Sequence, residues 1–320
     1  MVSGISKGFS SVAGYFKSID YKSKLGNTRT AVSGLFSAGE MSQKKVVIEE
    51  DIVGCVGKLP VYADFIRLNL SVNEALELDK WIQKGFMFLT KKRMEAFKQV
   101  FNHFPNLSFI LFGNNKTRTV AGVMVPGQDQ SGREFPFVIF NILGQHFSPQ
   151  QISLLPLMVE EFQQSALKIC GENWDDKDKN MLIEQVNQLP KCRFQEDTTD
   201  LQQKANNLLD LHAAESFWQA ILPAAGVESR AEYIQIFNRK IQETQASGPE
   251  TLSQGIEINI VDFNKSKLVQ LFVIYLLERM FTGRDWKGQS WLYETTEGNG
   301  RLIVYLRPLH TNDLLTLVDY

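Results

Sequence analysis

The residues best suited to chemistry fall in two compact polar clusters. In VGCVGKLPVYADFIR, Val53–Arg67, an apolar strand-like run gives way to Gly57, Lys58, Pro60, Asp64, Phe65 and Arg67. In PGQDQSGREFP, Pro126–Pro136, a turn gathers Pro126, Asp129, Gly132, Arg133, Phe135 and Pro136. A lysine after a glycine suits an anion, but here the rest of a phosphate-binding loop is missing. Carboxylates beside guanidinium groups suit a lock, because arginine binds a carboxylate through two parallel bonds. Asp64 or Asp129 is expected to pair with Arg133 and Arg67 across the two turns. Gly57, Pro60, Gly132 and Pro136 suit the turns themselves. The clusters therefore serve either to fix strand ends against each other or as a binding surface.

Catalytic patterns are missing. The chain has no Walker loop, no G-x-S-x-G, no H-E-x-x-H and no Gly-rich dinucleotide fingerprint. Cys55, Cys170 and Cys192 are widely spaced, with no C-x-x-C, so neither a disulfide framework nor a zinc site is expected. The acidic run around Asp175, Asp176 and Asp178 lacks the spacing, glycine and closing glutamate of a calcium loop. A Cys–His nucleophile, Cys55 with His103, His146, His212 or His310, stays formally open as a remote hydrolase alternative. A cysteine inside a strand usually acts as a small hydrophobe. No catalytic residue, metal or cofactor is expected.

The clusters must be held by strands and helices. Val53–Val56 suits a strand ended by Gly57 and Pro60. Further strand-like runs at Leu107–Phe112, Thr119–Val125 and Phe137–Leu143 have short links, which predicts an antiparallel meander. A helix is predicted from Ser71 or Asn73, either able to cap, to about Phe101, with Trp81 on its apolar side. A tryptophan so placed is more often core than ligand platform. After Pro149 the pattern is mainly helical, at Gln151–Ile169, Thr199–Ile221 and Ala231–Thr244, with a connector at Gln245–Gln254. A strand at Ile256–Val261, an apolar helix at Lys267–Phe281, a hairpin at Ser290–Tyr293 and Leu302–Leu306, and a helix from about Thr311, capped by Thr311 or Asn312, close the chain. The expected fold class is α/β, with a predominantly antiparallel central sheet flanked by helices, a helical middle region and a flexible N-terminal arm. The expected division is 1–48, 49–146, 147–250 and 251–320.

Of 320 residues, 43% are apolar, enough for a large core, and no apolar run is long enough to span a bilayer. A net charge of −2 argues against a nucleic-acid partner. Reduced thiols, and an N-terminus without a secretory signal, suit the cytoplasm. Residues 1–48 carry seven Lys or Arg against Asp20 and Glu40, a net of +5, so the other 272 residues carry −7. Ile5, Phe9, Val12, Phe16 and Ile19 would form one apolar stripe on a helix, suited to peripheral docking of residues 1–20 on a membrane or partner. Gly4, Gly8, Gly14 and the serines instead favour a mobile arm.

The two polar turns resemble the TagF family of type VI secretion accessory proteins, which carry G-K-x-P-x-x-G-D-F and, about seventy residues later, P-x-x-D-x-x-G-R-x-F-P. Here these are Gly57, Lys58, Pro60, Asp64, Phe65, then Pro126, Asp129, Gly132, Arg133, Phe135, Pro136. Ala63 replaces the family's glycine; if that glycine needs positive φ, the alanine costs roughly 1–2 kcal/mol. Trp81 stands where the family tends to carry tryptophan, and the tract Gln289–Leu309, with Trp291, resembles its closing hairpin. The resemblance implies a cytoplasmic, non-enzymatic, post-translational negative regulator that binds a protein of the secretion apparatus, with a forkhead-associated scaffold protein as a candidate. The competing class is a structural or assembly component anchored by the basic arm.

Overall fold

Period-two alternation sends the strand side chains to two opposite faces, and both faces are apolar. Val53, Cys55, Val123, Phe137, Ile139, Leu292 and Val304 enter one buried cluster, while Val56, Met124, Val138, Phe140, Trp291, Tyr293 and Tyr305 enter the other. A sheet buried on both sides needs helices on both sides. The computed structural model describes residues 50–318 except 114–116, 145–146, 148, 175, 193–198, 209–212, 223–229, 234, 237–238, 240–241, 244–254, 281–287 and 295–297. The arm stripe, His146, His212, the connector and much of the expected Ala231–Thr244 helix lie outside the described residues.

The eight strands among the described residues are β1 Ile52–Gly57, β2 Ile66–Leu68, β3 Leu107–Leu111, β4 Val120–Val125, β5 Phe137–Ile142, β6 Ile256–Ile260, β7 Gln289–Glu294 and β8 Gly300–Tyr305. They form one sheet in the order β2-β1-β5-β4-β3-β7-β8-β6. Every pairing is antiparallel. The C-terminal strands join at β3, where Phe109 lies opposite Trp291. The three-residue β2 is an addition to the sequence reading. The chain reverses between Gly57 and Ile66, and just past β2 Asn69, whose φ is 56°, donates its side-chain amide to the Val53 carbonyl of β1 at 2.7 Å.

The helices are α1 Asn73–Arg93, α2 Phe97–Asn102, α3 Pro149–Ile152, α4 Leu155–Met158, α5 Glu160–Cys170, α6 Lys179–Asn187, α7 Thr199–Leu208, α8 Ala213–Ile221, α9 Ser266–Met280 and α10 Asp313–Val318. Helices α1, α2 and α10 cover the face carrying Trp291; α5, α6, α8 and α9 cover the face carrying Cys55. Each large apolar side chain buried this way contributes about 1.5–3 kcal/mol.

Several expected boundaries differ. The helix expected to reach Phe101 stops at Arg93, because Met94 takes a left-handed φ of 38°. Neither Ser71 nor Asn73 caps it; the N-cap is Val72, with no side-chain bond. The expected Gln151–Ile169 helix is three pieces, with Pro156 at the start of α4, where a missing N–H costs nothing. The last helix begins at Asp313, which puts Asn312, one of the two expected caps, just before it, and the Asp313 carboxylate accepts the His310 N–H at 2.8 Å.

Candidate functional site

Strand β1 ends at Gly57 and β5 begins at Phe137, and these antiparallel neighbours bring the two polar turns together. Gly57 has φ of +130°, and a Cβ there would sit 2.1 Å from the Pro136 carbonyl oxygen, so only glycine allows the contact. The 126–136 segment folds on itself, with a bridge between Gln128 and Glu134 and a bond from the Phe135 N–H to the Gly127 carbonyl at 2.9 Å. Gly132, at φ +77°, donates its N–H to the Asp129 carbonyl at 2.8 Å.

Asp129 is the centre of this arrangement, and its carboxylate has no solvent exposure. Oδ1 accepts the Ser131 N–H at 3.0 Å, the Ser131 hydroxyl at 2.8 Å and the Arg133 N–H at 3.0 Å. Oδ2 accepts from Arg133 Nε at 2.7 Å and pairs with Lys58 Nζ at 2.9 Å. Burial alone would raise the Asp129 pKa. The bonds from Lys58, Arg133 and Ser131 outweigh that and hold the carboxyl well below the usual carboxylate range.

Three further contacts join the turns. Arg133 donates from its guanidinium to the Ala63 carbonyl at 2.6 Å, and the Gln130 N–H donates to the Tyr62 carbonyl at 3.1 Å. Phe65 meets Phe135 edge-on at 4.8 Å, and Phe135 meets Phe86 of α1 at the same distance. Lys58 Nζ lies 4.9 Å from the Phe65 ring centroid, with Arg67 at 5.2 Å.

The lock between the turns exists, but its partners differ from two of those expected. Asp64 is exposed and, among the described residues, accepts only the neighbouring Phe65 N–H at 2.8 Å; it forms no ion pair with Arg133 or Arg67. Arg67 lies over Phe65 and, among the described residues, pairs with no carboxylate. Lys58 is a buried ion-pair partner, which leaves it unsuited to a free anion. Ala63 is not at positive φ, so the alanine carries no left-handed strain, and it contributes a carbonyl that any residue has. Pro60 is exposed at the tip and Pro136 is buried against Gly57.

Trp81 and Trp291 belong to a second network at the other end of the central strands. Their rings lie 5.4 Å apart, Trp81 donates to the His310 carbonyl at 2.8 Å, and Trp291 donates to Gln289 at 2.6 Å. Gln289 donates to Asp313 at 3.1 Å, and Arg307 binds Asp313 through two bonds of 2.9 and 2.6 Å. Sequence reasoning named the tryptophans and missed Gln289, Arg307 and Asp313. The available signal was a cation and an acid six residues apart around the Pro308 turn.

Cys55 is buried in β1, and desolvation pushes its thiol up to about 12, the opposite of an activated nucleophile. Among the described residues no group of His, Cys, Asp or Glu is arranged to hold a metal ion. Among them, too, no helix is long and apolar enough to cross a membrane.

These features define a class: an α/β protein built on an antiparallel sheet covered on both faces, with two polar turns locked at one sheet end. Residues 54–188 match the family model for the TagF N-terminal domain, type VI secretion system-associated. The match takes in both polar turns, β2 to β5 and the helices through α6. Among solved structures the chain is similar to PA0076 from Pseudomonas aeruginosa PAO1, at 23% identity and a TM-score of 0.36. That alignment covers 43% of this chain and 63% of the other, so the chain spans less than two thirds of that relative. No curated protein matches the sequence.

Proposed function

We propose that the protein is a cytoplasmic, non-enzymatic accessory factor of the type VI secretion system that restrains the apparatus after translation by binding one of its components. The observation that carries this reading is the locked pair of turns inside the type VI secretion-associated domain. Every polar group at its centre is used internally, so the lock offers a fixed surface and no reactive group. Tyr62, Asp64 and Arg67 stand exposed on that surface, and Lys179 of α6 packs over the Tyr62 ring at 4.5 Å, which steadies it. A forkhead-associated scaffold protein is the first candidate partner.

Deleting the gene tests the regulatory role: secretion should become derepressed, whereas lost sheath assembly would instead identify a structural component. The surface is tested separately. Tyr62→Ser combined with Arg67→Glu should keep the melting temperature and abolish capture of the purified scaffold protein. Full capture by the folded variant would remove this surface from the proposal.

A further inference from the structure

A second site lies at the opposite end of β4 from the locked turns. There α1 and the ends of β3 and β4 border a cleft of about 440 Å³, lined further by Pro308, Leu309 and Thr311 and by Thr117 and Arg118. That volume falls within the range of sites for small ligands and peptide side chains.

The wall is apolar, with Leu78, Trp81 and Leu309 among its residues. Most of its polar groups are already used. Glu74 accepts from the Arg118 N–H at 3.0 Å and from the Arg118 guanidinium at 3.4 Å. Trp81 donates to His310, and Gln289 to Asp313. Three charged lining residues, Glu77, Lys80 and Lys84, have no ion-pair or hydrogen-bond partner among the described residues. Lys80 and Lys84 are four apart on α1, hence neighbours on one side of the helix. The mouth thus holds two unpaired ammonium groups against one unpaired carboxylate, beside an apolar wall.

We propose that this cleft binds a short acidic peptide segment of a partner protein, with an apolar side chain entering against Leu78, Trp81 and Leu309 and adjacent carboxylates meeting Lys80 and Lys84. Glu77 sets the direction by repelling the acidic end, so the carboxylates lie toward Lys84. A helix usually attracts anions at its N-terminus, but Glu74 already occupies the first turn of α1, which leaves the lysines as the positive element. The site is separate from the locked turns and stands whether or not those turns bind a partner.

The test is fluorescence anisotropy with the full chain and a labelled peptide carrying two glutamates beside a leucine–phenylalanine pair. Saturable binding is expected. Lys80→Glu with Lys84→Glu should weaken it about tenfold or more, since charges meeting across an interface set both encounter and fit. Both lysines are exposed, with no partner among the described residues, so the fold should survive, and an unchanged melting temperature checks this. Leu309→Trp, which fills the cleft, should weaken binding without altering charge. Tyr62→Ser with Arg67→Glu should leave it unchanged. No saturable binding, equal binding by the lysine variant, or equal binding of a peptide with lysines in place of the glutamates would each overturn the proposal.

Discussion

Asp129 and Asp313 are each 2% exposed, yet they are neutralised differently. Asp313 is held by one arginine through a two-bonded contact, with Gln289 and the His310 N–H completing its shell. Asp129 shares its charge between buried Lys58 and Arg133, whose side chain is 58% exposed, and four of its donors come from its own loop. Among the described residues the Asp313 site has one cation and no substitute. The Asp129 site has two, one of which faces water. The first therefore acts as an internal fastener of the closing hairpin to α10, and the second shapes a surface.

That comparison is broken most severely at Arg307. Arg307→Ala leaves a buried carboxylate without its cation and should cost about 3–5 kcal/mol, read as a fall in the chemical-denaturation midpoint. Lys58→Met removes the buried cation from Asp129 but leaves Arg133, so its loss of melting temperature should fall between those of Arg307→Ala and Arg133→Ala. Arg133→Ala should cost under about 1 kcal/mol, because an exposed cation contributes little while Lys58 remains. If Arg133→Ala proved as costly as Arg307→Ala, the distinction between fastener and surface would fail.

Acid sharpens the comparison further. Asp129 has its folded-state pKa below the ordinary 3.8, so its contribution is present above that value and is lost as pH falls through the folded value. Melts of the wild type and Asp129→Asn should therefore converge as pH drops below about 3.8 and separate at neutral pH. The smallest effect is expected at Asp64. With only its neighbour's N–H to accept, Asp64→Ala should change stability by no more than about 0.5 kcal/mol.

The sequence by itself determined a great deal of the sheet. Leu107–Phe112, Thr119–Val125 and Phe137–Leu143 were legible because each apolar run is bounded by turn residues. The antiparallel order of β3, β4 and β5 followed from the short links between them. Gly57, Pro60, Gly132 and Pro136 marked the two turns, since their backbone limits are local properties. The partners inside those turns were not local. Asp64 and Asp129 offer the same chemical group, and only the packing of Gly57 against Pro136 and Phe137 places Lys58 Nζ on Asp129 while Asp64 stays in water.

The second network was hidden for the same reason. Trp81 reaches the His310 carbonyl across 229 positions, and the hairpin of β7 and β8 joins the sheet at β3, far away in the chain. Strand β2 escaped notice because three residues are too few for alternation to show, and its place beside β1 is held by a bond from Asn69 to Val53, sixteen positions away. Periodicity and turn chemistry are written in neighbouring residues. Which carboxylate loses its water, and which cation then must neutralise it, is decided only when distant strands come into register.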